Sequence, residues 1–318
     1  MLDKIIHSLR SHQGYLSGEE LSRSLSISRA GIWKHIQELR ERGYDIVAVP
    51  HLGYQLVSAP DKLFPWEIKF DLKTKRLGKE IIYYDTVSST MDEAFRLGVE
   101  GAAEGTVVCA EGQTQGRGRL GRSWVSPKGK GIYFSVILRP ILPPQAVSQL
   151  TLLSAIAVSE AIKNRTGVSA LIKWPNDLLV NNKKLVGILT ELSADTDRVK
   201  FVVIGVGVNI SAVDGALPAH ATSLKKEAHK NFSRVELLQE ILRCVEEWYV
   251  RFQKEGPKPI IKRWKELAGT LGSHIRISNP GETIEGKAID IDQDGGLLIR
   301  KDSGIVVKKM TGDVVQVS

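Results

Sequence analysis

Two strand-like runs, residues 106–109 and 132–138, bracket a stretch that neither a helix nor a strand can absorb. It reads Ala-Glu-Gly-Gln-Thr-Gln-Gly-Arg-Gly-Arg-Leu-Gly-Arg and ends at Arg122. Gly116, Gly118 and Gly121 free the backbone for unusual dihedrals and for close approach to a ligand. Arg117, Arg119 and Arg122 interleave with them, each a planar fork of donors suited to carboxylate or phosphate. Three guanidiniums this close repel one another unless an anion arrives. The segment reads as an anion clamp leaving the end of a buried strand, with a solvated basic loop as the alternative.

The same glycines satisfy G-x-G-x-x-G, so a dinucleotide fingerprint has to be weighed. That motif opens a helix and has an acidic residue about twenty positions on. Here Trp124-Val125-Ser126-Pro127-Lys128-Gly129 breaks any helix, and no Asp or Glu occurs between Arg122 and Ser159. The dinucleotide reading is disfavoured.

At 318 residues the chain exceeds one average domain and suggests two or three, and 42% hydrophobic residues suffice for real cores. A formal charge of +8 fits polyanionic partners. The two cysteines, Cys109 and Cys244, make no disulfide framework and read as buried thiols. The first residues alternate charge with apolar side chains, and no apolar run approaches the length of a membrane span. These features predict a cytoplasmic protein with no membrane partner.

Near the N-terminus Leu2, Ile5, Ile6 and Leu9 share a helical face, and Ser17-Gly18-Glu19-Glu20 is a capping box opening a second helix. A tight Ser26-Ile27-Ser28 turn leads to a third helix over residues 28–42, with Ile32, Ile36 and Leu39 as its buried stripe. Strands near 45–49 and 54–57 complete a winged helix-turn-helix over residues 1–60. Arg29, Trp33, Lys34 and His35 are then the candidates for contacts in a DNA major groove. A helical module that binds protein is the alternative, because residues 1–60 hold seven Lys/Arg against six Asp/Glu. The histidines His7, His12, His35 and His51 lack metal-ligand spacing.

Residues 58–66, with Pro60 and Pro65, suit a linker. Beyond them, strand runs near 81–84, 106–109, 132–138, 170–174, 178–180, 185–191 and 201–208 mix with helical patterns at 91–100, 150–165 and 233–252. This predicts an α+β domain over residues 67–268, a mixed sheet with helices on one face. Asn181-Asn182 joins two strands as a hairpin, and residues 211–223 look like a lid. From residue 269 to 318 five short strands suggest a small barrel.

A second motif sharpens the reading: Lys173-Trp174-Pro175-Asn176-Asp177, then Lys183-Lys184-Leu185-Val186-Gly187-Ile188-Leu189. Together with Gly116-Arg117-Gly118-Arg119, this resembles the biotin–protein ligases over nearly the whole chain. Ser88-Ser89-Thr90 matches the family's biotin-contacting Ser-Thr, although the family often has Asn where this chain has Met91. Gly205-Val206-Gly207-Val208-Asn209 resembles its Gly-x-Gly-x-Asn strand. The resemblance implies a winged helix, a ligase domain and an SH3-like cap. It also implies a reaction in which biotin's carboxylate attacks the α-phosphate of ATP, giving biotinyl-5'-AMP. A lysine of a biotin carboxyl carrier protein then displaces AMP.

The resemblance assigns biotin and nucleotide contacts to Ser89, Thr90, Met91, Gln113, Gly116, Arg117, Gly118, Arg119, Arg122, Asn176, Lys184 and Asn209. Lys184 and Arg119 would stabilise charge in the transition state. Asp177 would hold Mg²⁺ or position the incoming amine. The family's repressor members add operator DNA as a partner and imply a ligand-promoted homodimer with biotinyl-5'-AMP as corepressor. Two other classes stay open, a lipoate-type acid-adenylating ligase and a ligand-responsive regulator without turnover.

Overall fold

The computed structural model describes residues 1–211, 217–228, 230–279 and 282–317, and divides the chain into two compact units, Met1–Lys62 and Leu63–Ser318. In the first unit, α1 (Leu2–Ser11), α2 (Gly18–Leu25) and α3 (Arg29–Glu41) precede an antiparallel hairpin of β1 (Asp45–Val49) and β2 (Gly53–Ser58). Ser17 and Ser28 cap α2 and α3 by accepting from the Glu20 and Gly31 amides. Ile5, Ile6 and Leu9 of α1, Leu21 of α2, and Ile32, Ile36 and Leu39 of α3 are buried together. Gly53 has φ +114°, and a Cβ there would stand 2.2 Å from the Leu16 carbonyl oxygen, so only glycine lets the wing close on the Leu16–Tyr54 bridge.

The second unit starts at Leu63, and its first helix, α4 (Pro65–Phe70), begins inside the expected linker of residues 58–66. Pro65 starts this helix rather than breaking it, because the first helical position needs no amide hydrogen. Next come β3 (Ile81–Tyr84), α5 (Thr90–Val99), β4 (Val107–Ala110), β5 (Gly131–Leu138) and α6 (Ser148–Thr166). The chain continues through β6 (Leu171–Lys173), β7 (Asp177–Val180), β8 (Lys183–Ala194) and β9 (Val199–Asn209). The short α7 (Leu224–Glu227), then α8 (Arg234–Glu255) and α9 (Lys258–Leu267), lead into β10 (His274–Asn279), β11 (Glu282–Ile291), β12 (Leu297–Arg300), β13 (Val306–Lys309) and β14 (Asp313–Gln316). The larger sheet has the order β3-β4-β5-β9-β8-β7-β6, with β3–β4 parallel and the other pairings antiparallel. It is the mixed sheet expected.

Strand parity decides which side chains meet the helices. On β9, Val202, Ile204, Val206 and Val208 face the main core with α6 and α8, while Phe201 and Val203 turn to a smaller cluster with Met91 and Ala94 of α5. The long helices α6, α8 and α9 thus cover one face, as expected. The short α5 corrects that expectation by packing on the other face. The long apolar α6 has the length and composition to cross a membrane, yet most of it is buried in the protein. Asn181 and Asn182, at φ +49° and +60°, make the turn between β7 and β8. The C-terminal strands form a five-stranded antiparallel sheet, β13-β12-β11-β10-β14, around Ile275, Ile277, Ile299 and Val314. Its SH3-like character is as expected.

Candidate active site

On the α5 face of the large sheet, the alternation that buries Val206 and Val208 leaves Gly205, Gly207 and Asn209 pointing the other way. Gly187 of β8 pairs with Gly207, so the sheet has a shallow trough with no side chains. Two bulky groups fill it. A Cβ on Gly207 would lie 2.3 Å from Trp124 Nε1, one on Gly187 2.8 Å from the same indole, and one on Gly205 2.4 Å from the Met91 sulfur. These glycines are therefore required by close approach, and Trp124 is a site residue that sequence reading missed.

A β-bulge aims the central cation. Leu178 pairs with Val186 but Leu179 pairs with Lys184, which leaves Leu185 as an extra residue in β8. Without it, Lys184 would share parity with Val186 and Ile188 and point into the core. The bulge shifts the parity and turns Lys184 onto the trough side, beside Gly187. Its Nζ lies 2.8 Å from Asp177 Oδ1 and 5.3 Å from the centre of a Trp124 ring. Its backbone is tied as well: Lys184 donates to the His220 carbonyl at 2.8 Å and accepts from Thr222 at 2.9 Å. Lys183, one residue earlier, is exposed.

These elements enclose a cavity of about 390 Å³. Of the residues expected in the site, Thr90, Met91, Gln113, Arg117, Gly118, Arg119, Arg122, Asn176, Asp177, Lys184 and Asn209 line it. Ser89 and Gly116 are not in its lining. Ser89 is buried beneath, where its Oγ caps α5 by accepting from the Met91 amide at 3.2 Å. Gly116 is required by packing, since a Cβ there would meet the Trp124 carbonyl oxygen at 2.4 Å. Gln113 organises one end. Its Oε1 accepts from the Thr90 amide at 2.8 Å and from Thr90 Oγ1 at 3.2 Å, while its Nε2 donates to Ser126 Oγ at 2.9 Å. Ser135 Oγ donates to Thr90 Oγ1 at 2.9 Å. Asn209 Nδ2 donates to the Thr222 carbonyl at 3.1 Å.

The arginines differ from the simple clamp expected. Arg117 already holds the carboxylates of Asp92, at 2.6 Å, and Glu191, and Arg122 pairs with Asp313 from the C-terminal sheet. Arg119 has no carboxylate partner among the described residues. It donates to Asn176 Oδ1 at 3.1 Å and Thr311 Oγ1 at 2.8 Å, and burial holds its pKa below the usual arginine value. Burial likewise lowers the pKa of Lys173, which also lines the cavity; nearby Asp177 opposes that shift. Asn176 Nδ2 donates to the Ile188 carbonyl at 2.7 Å. Trp174, expected in the core, is buried with its Nε1 bonded to the Gly295 carbonyl.

The lid expectation for residues 211–223 falls partly on residues 212–216, which lie outside the described residues. Leu217, Pro218, His220 and Ala221 line the cavity. In the other unit, Arg29, Trp33 and Lys34 are exposed at the start of α3, and Arg29 pairs with Glu19 at 2.5 Å. His35 is only half-exposed, because its ring turns to Glu38 at 3.5 Å.

Comparison with known proteins agrees with this geometry. Residues 83–209 match the Biotin/lipoate A/B protein ligase family, residues 2–55 an HTH domain, and residues 270–315 the Biotin protein ligase C terminal domain. The chain is 44% identical to the bifunctional ligase/repressor BirA of Bacillus subtilis, over 90% of this chain and 89% of that one. Against the Escherichia coli protein of the same name, identity is 32% over 92% and 91%. Among solved structures, the Aquifex aeolicus biotin protein ligase in complex with biotin and ATP superimposes with a TM-score of 0.63. Identity there is 31%, covering 74% of this chain and 98% of that one. On likeness of this extent, the chain belongs to the family of bifunctional biotin ligase/repressor proteins.

Proposed function

We propose that the cavity holds biotin and ATP side by side, makes biotinyl-5'-AMP from them, and passes the biotinyl group to a lysine of a biotin carboxyl carrier protein. One observation carries this reading. The Lys184 ammonium, the Arg119 guanidinium and the Thr90–Gln113 hydrogen-bonding pair all open into one cavity. The first step drives a carboxylate against a phosphate, so both anions need cations and fixed dipoles that strengthen as charge builds. Lys184 supplies the cation between the two anions, and Arg119 takes the phosphate side. The Thr90 hydroxyl and the Gln113 amide offer donors and acceptors to a ureido ring. The Trp124 Nε1–H, buried without an acceptor among the described residues, is a donor that a bound ligand can satisfy.

Asp177 does not fit a magnesium site by itself. Its Oδ1 is paired with Lys184, and no group of three His, Cys, Asp or Glu able to hold a metal occurs among the described residues. Its place beside Lys184 suits it to orient the incoming amine in the second step. The exposed N-terminal end of α3 suits operator DNA, with Arg29, Trp33 and Lys34 foremost. A palindromic operator requires two such helices, hence a homodimer promoted by the adenylate, in the cytoplasm where operator and carrier protein reside.

Incubation with biotin, ATP and Mg²⁺ should yield biotinyl-5'-AMP and pyrophosphate. Lipoate should compete poorly, because a dithiolane has no groups to exchange hydrogen bonds with the Thr90–Gln113 pair as a ureido ring does. No adenylate, or preferred use of lipoate, would sink the reading.

A further inference from the structure

The segment carrying the three arginines leaves β4 at Glu111 and re-enters the sheet at Gly131, and one buried guanidinium grips both stems. Arg234 Nη1 donates to the Gly131 carbonyl at 3.0 Å, and Arg234 Nη2 to Glu111 Oε2 at 2.8 Å. The other carboxylate oxygen of Glu111 accepts from the Leu63 amide at 2.7 Å, and its backbone carbonyl accepts from the Gly129 amide at 2.9 Å. Glu111 and Arg234 are 2% and 4% exposed, and neither lines the cavity.

Stability alone does not explain this pair. Desolvating two charges is costly, and well-packed apolar residues in the same place are commonly as stable or more so. Arg234 also opens α8 directly after the Ser233 cap, where the helix dipole disfavours a cation. What the pair does, and apolar residues cannot do, is fix two backbone strands at defined distances. Two residues beyond Glu111, Gln113 bonds through its amide to the Ser126 carbonyl at 3.1 Å and holds Thr90 through its side chain. A shift of the stem is therefore a shift of Gln113.

We propose that Glu111 and Arg234 are positioning residues for biotin activation, a buried two-armed brace that sets both stems of the arginine loop and so places Gln113 and Arg119 against the ligands. The proposal rests on the cavity being the biotin and ATP site. The brace holds the loop before ligand arrives, so that less ordering remains to be done on binding.

Two variants test it. In Arg234→Lys a single ammonium keeps the charge opposite Glu111 but cannot span to Gly131 as well. The double variant Glu111→Leu/Arg234→Met removes both charges and leaves no unpaired ion. Amide hydrogen exchange is followed over residues 112–130, α6 and β9 in ligand-free protein, together with release of biotinyl-5'-AMP. Both variants should exchange at least tenfold faster in residues 112–130 with α6 and β9 unchanged. They should also release adenylate about tenfold faster and show a raised KM for biotin. Unchanged loop exchange and release would overturn the proposal, as would exchange rising equally in α6 and β9, the mark of a mere core support. If the double variant does not fold, Arg234→Lys decides alone. Failure of the wild-type protein to form adenylate would retire the cavity reading instead, and the loop exchange would still report on the brace.

Discussion

Replacing Lys184 with methionine tests the site most directly, because the two side chains have similar length and only the charge is lost. Two effects add. A positioned donor that meets developing charge is worth about 10² to 10³ in rate, roughly 3–4 kcal/mol. The second effect comes from Asp177, whose carboxylate stands 2.8 Å from Lys184 Nζ with 19% of its side chain exposed. Without the ammonium, Asp177 faces the bound anions with only Lys173 and Arg119 nearby to offset its charge. At an effective dielectric of about 20 and a separation of about 6 Å, that repulsion is roughly 3 kcal/mol, reduced by its partial exposure to about 1–2. Lys184→Met should thus lose about 10³- to 10⁴-fold in adenylate formation, measured as single-turnover pyrophosphate release, with thermal stability nearly unchanged. Adding Asp177→Asn should restore about tenfold of that loss, so the double variant is faster than the single one. Lys183→Met, at an exposed position, should behave as wild type. Near-normal adenylation by Lys184→Met, damage from Lys183→Met, or no recovery on adding Asp177→Asn would each refute the electrostatic account.

Arg119→Gly removes a partly buried guanidinium with no carboxylate partner among the described residues, and a charge-assisted hydrogen bond is worth about 1.5–3 kcal/mol. Release of biotinyl-5'-AMP should quicken about ten- to a hundredfold while adenylate still forms; off-rates equal to wild type would place the clamp elsewhere. Gly207→Ala puts a methyl 2.3 Å from Trp124 Nε1 and should expel the indole at a cost of about 1–3 kcal/mol. The readout is a red-shifted tryptophan emission with weakened ligand binding, and an unchanged spectrum would contradict the packing. Burial lowers the Lys173 pKa in the free protein, and an anionic ligand would favour its charged form. ATP affinity should therefore fall as pH rises through that lowered pKa, and Lys173→Met should flatten the profile. Deleting residues 1–60 should abolish operator binding and leave adenylation measurable; loss of both would show that the ligase unit does not fold alone.

The features legible in the sequence were those written within a few residues. Ser17, Ser28 and Ser233 each cap the expected helix, because a cap is a contact three residues long. Asn181-Asn182 announces its turn because few other side chains tolerate positive φ. The sequence reading contains no helix at α9, although Ile260 and Trp264 lie four apart and buried and Pro259 in the first turn is compatible with a helix start. The site's finer geometry depends on partners distant in the chain. Nothing near Arg117 names Glu191, and nothing near Arg122 names Asp313. The bulge at Leu185 carries no glycine or proline to mark it, yet it decides which way Lys184 points. Trp124 could have been found from its setting: Gly187, Gly205 and Gly207 in strands otherwise rich in Val and Ile ask what stands above them.

The charge inventory gives these pairings a purpose. Arg117, Arg119, Arg122, Lys173 and Lys184 all line the cavity, which would make five positive charges against an incoming carboxylate and nucleotide. Asp92, Glu191, Asp313 and Asp177 bring four negative charges and pair with three of the cations, since Arg117 holds two of the carboxylates. An unbalanced cluster would bind any polyanion and would spread the loop apart by self-repulsion while empty. A nearly balanced one holds the guanidiniums in place without ligand and leaves selectivity to geometry. Such pre-set dipoles need little rearrangement when charge develops, which is where electrostatic catalysis draws its strength. The same logic separates the two activities. Residues 1–60 contribute seven basic and six acidic side chains, so of the net +8 only +1 belongs to the DNA-binding unit and +7 to the remainder. On the proposed reading, operator recognition would draw on where Arg29 and Lys34 stand on α3 rather than on bulk charge. Net basicity, the first property a composition reveals, locates neither proposed site; both readings rest on the positions of individual cations and of the carboxylates that hold them.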